Sequence, residues 1–178
     1  MDWIEKMSRE AVQKVKAYDA GERKESGNEL YLNANENPYP REFKLSGGFN
    51  RYPEPQPKRV IERYARFLGV REESILVTLG GDASIELLIK AFCEPKKDKL
   101  LYSPPTFGMY QITCDLFDVE TVQIPLREDF SLDSEKIIEA LDSVKIVFLC
   151  NPNNPTGNLM ERKAIIEILE AAKRRAIV

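Results

Sequence analysis

Three short strings gather the residue types able to hold a small polar ligand: Thr78-Leu79-Gly80-Gly81-Asp82-Ala83-Ser84, Tyr102-Ser103-Pro104-Pro105-Thr106-Phe107-Gly108-Met109-Tyr110 and Asn151-Pro152-Asn153-Asn154-Pro155-Thr156-Gly157. In the first, adjacent glycines let backbone amides turn toward an anion, and a helix starting there adds favourable partial charge, which makes a phosphate cradle. The plain alternative is a structural Gly-Gly turn with Asp82 as helix cap. In the third, two prolines remove backbone donors and fix φ while Gly157 permits a positive φ, so the chain must turn sharply. An Asn-rich turn joining two elements would explain that string by itself. Leu32-Asn33-Ala34-Asn35-Glu36-Asn37-Pro38 is a second Asn/Pro loop of the same kind.

These strings lie at the ends of segments with clear periodicity. Lys145 to Cys150 is β-branched and aromatic without charge after its first residue, as in a strand buried on both faces of a parallel sheet. Strands are also expected at Ser74 to Thr78, Lys99 to Tyr102 and Glu120 to Ile124, with a short one entering the Asn33 loop from Leu30. Helices are expected at Ala83 to Phe92, Phe107 to Phe117, Ser134 to Leu141 behind an Asp133/Ser134 cap, and about Glu161 to Arg174. Upstream, Val60, Ile61, Tyr64, Ala65 and Leu68 recur at helical spacing, and Gly69 is a suitable cap. Residues 1 to 17 read as an amphipathic helix packed on its own domain, or as an exchanged arm. Strands separated by helices of this length define the fold class as α/β, a mostly parallel sheet covered by helices. Ligands bind such sheets at the carboxyl ends of the strands, where the candidate strings fall. Ala176-Ile177-Val178 looks like the first half of a further buried strand, so the chain is expected to be the front portion of a longer protein.

Composition narrows the function. The 178 residues are 43% hydrophobic and 31% charged, the balance of a globular protein, and the net charge of -3 gives no general attraction to nucleic acid or anionic membrane. There is no apolar run of membrane-spanning length and no signal-peptide block at the start, so a cytoplasmic location is expected. Cys93, Cys114 and Cys150 lack paired or metal-like spacing and read as core thiols. Histidine is absent, which excludes a His-based triad or His metal site in this chain and favours a cofactor that brings its own electron sink.

Taken together, the strings and their order resemble the fold type I aminotransferases that use pyridoxal 5'-phosphate (PLP), and within them the histidinol-phosphate aminotransferase subfamily. The resemblance runs from Tyr18 through Leu32-Asn33-Ala34-Asn35-Glu36 and Asn50-Arg51-Tyr52-Pro53 to Arg174-Ala176. It implies that the amides of Gly81 and Asp82 hold the cofactor phosphate, that the Phe107 ring stacks on the pyridine, and that Asn154 donates its side-chain amide to the phenolic oxygen. An amide suits that role because it stabilises a phenolate without adding a full charge. It further implies that Tyr52 reaches the phosphate of a neighbouring subunit's cofactor in a homodimer, and that Tyr18, Asn33, Asn35 and Glu36 line the substrate pocket. The implied domains are 1-48, an arm with a small-domain segment, and 49-178, an incomplete PLP-binding large domain. The implied reaction is ping-pong conversion of imidazole-acetol phosphate and L-glutamate to L-histidinol phosphate and 2-oxoglutarate. The family usually has Gly-Ala-Asp-Glu where this chain has Gly80-Gly81-Asp82-Ala83, and often Tyr in place of Phe107; backbone amides and ring stacking survive both changes.

The family's Schiff-base lysine has no counterpart among the lysines here, none of which follows Ser or Thr at a strand end, so no catalytic residue is assigned. Two other readings fit the same residues: a PLP-dependent decarboxylase of a phosphorylated amino acid, and a non-catalytic phosphate-binding or dimerisation module. A nucleotide-binding domain is weakened by the lack of a Gly-x-Gly-x-x-Gly or Gly-Lys-Ser/Thr string.

Overall fold

Leu100, Leu101 and Tyr102 alternate between two apolar faces, and that alternation organises the larger part of the molecule. The computed structural model describes residues 7–16, 34–44 and 50–178. Strand β1 (Lys99–Tyr102) lies between β2 (Glu120–Gln123) and β3 (Ile146–Phe148) in a parallel sheet of order β2-β1-β3. The register pairs Leu101 with Val122 on one side and with Val147 on the other. Ile177 extends the sheet beyond β3 through a parallel bridge to Ile146, its N–H donating to the Lys145 carbonyl at 3.0 Å. The expected terminal strand therefore makes its first ladder contact.

Helices cover both faces. On one, Ile85 and Ile89 of α3 (Gly81–Phe92) and Tyr110 and Cys114 of α4 (Met109–Leu116) pack on Leu100, Tyr102 and Ile146. On the other, Ile137 of α5 (Ser134–Ala140) and Ile168 of α6 (Arg162–Ala172) pack on Leu101 and Val147. Each strand residue thus goes to the core opposite its neighbour's, as a period of two requires. Asp133 caps α5 as the sequence predicts, accepting from the Lys136 N–H. Helix α1 (Glu10–Lys14) packs on the same unit: Ala11 is buried and Arg9 Nη2 donates to the Leu116 carbonyl at 2.6 Å. Of the two readings of the first segment, a helix packed on its own domain or an exchanged arm, the contacts of Arg9 and Ala11 fit the first.

The chain divides into two compact units, Met1–Tyr18 with Gly80–Val178, and Asp19–Leu79. Within the second, α2 (Lys58–Leu68) ends on Gly69 in the left-handed conformation at φ 69°, as the sequence predicts. Burial is another matter. Of its apolar stripe only Ala65 is buried, and Val60, Tyr64 and Leu68 are exposed.

The strand expected at Ser74 to Thr78 does not form. Glu72–Ser74 is a single 3₁₀ turn and the residues after it have no ladder partner among the described residues. At Val77 a side chain from 21 residues upstream takes the place of a neighbouring strand: the Gln56 carboxamide accepts from the Val77 N–H at 2.8 Å and donates to the Val77 carbonyl at 3.0 Å. One side chain thereby satisfies both backbone groups that a neighbouring strand would otherwise pair. The short strand expected from Leu30 lies outside the described residues. Among the described residues no helix is long and apolar enough to cross a membrane.

Candidate functional site

The last rungs of β1 and β3 pair Tyr102 with Phe148, and beyond them the chain leaves the sheet in opposite directions. The loop after Tyr102 runs to α4 on one face, and the loop after Phe148 runs to α6 on the other. A crevice opens where adjacent strands send their connections to opposite faces, which is the ligand-binding position of open α/β sheets. Phe107 stands in the first loop and Asn154 in the second.

Asn153 joins the two. Its side chain is buried, at 3% exposure, and its Nδ2 donates to the Pro105 carbonyl at 2.9 Å and to Thr156 Oγ1 at 2.6 Å. Its Oδ1 accepts from Thr106 Oγ1 at 2.9 Å. The backbone closes the second loop: Asn153 N–H donates to the Asn158 carbonyl at 2.9 Å, and Gly157 N–H, at φ 75°, donates to the Asn153 carbonyl at 2.7 Å. Asn154 itself is half-buried, and its carboxamide has no hydrogen-bond partner among the described residues. The two neighbours thus differ: Asn153 ties the loops together, and Asn154 takes no part in those bonds.

The Phe107 ring is also half-buried and stands edge-on to Tyr110 at 5.7 Å between centroids. Tyr110 stacks on Phe148 at 4.7 Å, so an aromatic column supports Phe107 from the sheet. Burial pushes the Tyr110 hydroxyl above its ordinary range, with the nearby Cys150 thiol adding to the effect. The phenol stays protonated at neutral pH.

Gly80 and Gly81 open α3. Gly80 has φ 103° and ψ 178°, a conformation that L side chains rarely adopt, and no side chain caps the helix. Asp82 is therefore not a cap, contrary to the plain reading of the string. A Cβ at Gly81 would meet nothing within 4 Å, so the approach to the first amides is open. One turn on, Ile85 shares its core cluster with Phe107 and Tyr110. This brings the glycine turn to the same face of the sheet as the stacking ring.

The other expected site residues fall elsewhere. Tyr52 belongs to the Asp19–Leu79 unit and is 99% exposed. Asn35 and Glu36 lie in that unit too, exposed, with Asn35 in the left-handed region at φ 52° and the Asn37 side chain closing an Asx turn on the Tyr39 N–H at 3.1 Å. Tyr18 and Asn33 lie outside the described residues. Among the thiols, Cys93 and Cys114 are buried as expected, with Cys114 pushed up to about 12 by desolvation, whereas Cys150 is only half-buried at the end of β3. The motif position before Pro155-Thr156-Gly157 points to Asn154, whereas no local signal points to Asn153 or Gln56, whose roles rest on hydrogen bonds to residues distant in sequence.

The fold is a parallel sheet covered on both faces by helices, with the Phe107 and Asn154 loops at the carboxyl ends of β1 and β3. Residues 20–178 match the family described as aminotransferase class I and II, and the chain belongs to that family. It is 47% identical over 176 residues to the histidinol-phosphate aminotransferase of Serratia proteamaculans (strain 568), covering 98% of this chain and 49% of that protein. The crystal structure of the histidinol-phosphate aminotransferase from Clostridium acetobutylicum aligns with a TM-score of 0.61 at 30% identity, covering 67% of this chain and 35% of that one. The Sinorhizobium meliloti histidinol-phosphate aminotransferase, solved in complex with pyridoxal-5'-phosphate, shares the fold at TM-score 0.62 and 20% identity, over 68% of this chain and 33% of that chain. The chain spans about half the length of the curated relatives it matches.

Proposed function

We propose that this chain is the amino-terminal half of a PLP-dependent aminotransferase that converts imidazole-acetol phosphate and L-glutamate to L-histidinol phosphate and 2-oxoglutarate in histidine biosynthesis. The carrying observation is the divided asparagine pair: Asn153 spends its carboxamide on the loops, and Asn154, half-buried beside them, keeps an unpartnered donor. The identity of 47% to a histidinol-phosphate aminotransferase supports the choice of substrate.

The residues present fit the cofactor. Uncapped amides at Gly81 and Asp82, together with the positive end of the α3 dipole, suit a phosphate dianion. Phe107, half-buried and braced edge-on by Tyr110, is the aromatic ring to set against a pyridine. Asn154 supplies a neutral donor for a phenolate oxygen. When bound, PLP supplies the electron sink that lets an amino acid lose its α-proton. The chain's own part is to bind and orient the ring; the residue that moves the proton belongs to the portion of the protein beyond this chain. The exposed Tyr52 is available to a neighbouring subunit's cofactor phosphate in a homodimer. Tyr18, Asn33, Asn35 and Glu36 complete the substrate pocket, 49–178 belong to the cofactor domain, and the protein is cytoplasmic.

The test uses the full-length protein from the source gene. Mixed with PLP it should develop a visible cofactor band that L-glutamate discharges and imidazole-acetol phosphate restores, with histidinol phosphate as product. A band that glutamate leaves untouched, or release of CO2 in place of amino transfer, overturns the reading.

A further inference from the structure

We propose that Asn153 is a positioning residue: its buried carboxamide fixes how the ring of Phe107 and the free amide of Asn154 stand relative to one another when the cofactor binds. The inference rests on the functional reading above and adds to it a residue that touches no ligand.

The orientation of the amide follows from its neighbours. The Pro105 carbonyl is an acceptor only, so the nitrogen of Asn153 must face it. Its oxygen then meets Thr106, whose hydroxyl donates at 2.9 Å. The second hydrogen on Nδ2 goes to Thr156 Oγ1, which passes its own hydrogen to Asn158 Oδ1, and Asn158 Nδ2 ends the series on the Phe130 carbonyl at 3.1 Å. Every polar hydrogen in this chain of bonds runs one way, from Thr106 to the backbone of Phe130. At 3% exposure, no water can replace a lost partner.

The bonded groups sit next to the functional ones: Thr106 precedes Phe107, and Asn153 precedes Asn154. Pro105 and Asn153 are 48 residues apart in sequence, so this side chain locks two otherwise independent loops across the crevice. Loosening it changes the stacking contact and the donor contact together. A purely structural residue would lower stability and leave cofactor geometry alone.

Three variants of the full-length protein test this: Thr106→Val, Thr106→Ser and Asn153→Asp. The measurements are the PLP dissociation constant by fluorescence titration, the visible circular dichroism of the bound cofactor, and the melting temperature of the cofactor-free protein. Thr106→Val keeps the side-chain shape and removes only the donor to Oδ1; it should weaken binding about fivefold and reduce the dichroism, and lower the melting temperature because a buried acceptor is left unpaired. Thr106→Ser should restore all three. Asn153→Asp sets an oxygen against the Pro105 carbonyl and should weaken binding by more than about tenfold. Binding and dichroism equal to those of the parent in Thr106→Val and Asn153→Asp, with or without a drop in melting temperature, overturn the inference. Failure of the unsubstituted protein to take up PLP overturns the functional reading, and the inference falls with it.

Discussion

At the scale of single residues, neighbouring identical side chains carry opposite duties. Asn153 is buried and saturated with partners, and Asn154 is half-buried with its donors free. Truncating each should therefore fail differently. Asn154→Ala removes one donor to an anionic oxygen, worth about 1.5–3 kcal/mol in cofactor binding, and leaves the folded protein's stability unchanged, because nothing in the fold depends on that amide. A PLP titration set beside a denaturant melt checks both halves of the statement. The departure at Phe107 is harmless on the same logic. Its ring is held by an edge contact to Tyr110, which asks nothing of a hydroxyl.

At the scale of elements, the start of α3 and the start of α5 show two ways to end a turn. Gly80 at φ 103° cannot be replaced cheaply: Gly80→Ala should cost about 1–3 kcal/mol in urea unfolding through backbone strain alone, since the added Cβ meets nothing within 4 Å. Gly81→Ala, one residue on and inside the helix, should be neutral or slightly stabilising, because alanine is the better helix former. At α5 the device is a charge. The Lys136 side chain hydrogen-bonded to Asp133 holds that carboxyl below the ordinary carboxylate range, with burial opposing and the Lys136 N–H and Arg127 assisting. A depressed value in the folded state means that the contribution is present at neutral pH and is lost as pH falls through it. Asp133→Asn keeps a good cap but no charge, so its acid unfolding limb should be flatter than that of the parent, as measured by circular dichroism from pH 7 downward.

At the scale of the whole molecule, the sheet is the structural centre of the Gly80–Val178 unit, and Leu101 is its central residue. It is fully buried, on the middle strand, facing α5 and α6. Leu101→Ala should lower the unfolding free energy by about 2–5 kcal/mol, read from the midpoint of a urea titration, with no change in the residues at the carboxyl edge. By contrast, the exposed apolar side of α2 shows that amphipathic spacing alone does not decide burial.

The residue types by themselves determined the succession of strands and helices in the Gly80–Val178 unit, the left-handed end of α2 at Gly69, the Asp133 cap and the turns at Gly80 and Gly157. These depend on period, on proline and glycine dihedrals and on side chains reaching a few residues along the chain, all of which are local. Only the tertiary structure decided that β1 lies between β2 and β3, that Ser74 to Thr78 is clamped by Gln56 in place of a strand, and that the Phe107 and Asn154 loops are bound together through Asn153. Those outcomes pair segments far apart in sequence, where the choice of partner is set by which buried polar groups can satisfy one another and no local pattern carries the answer.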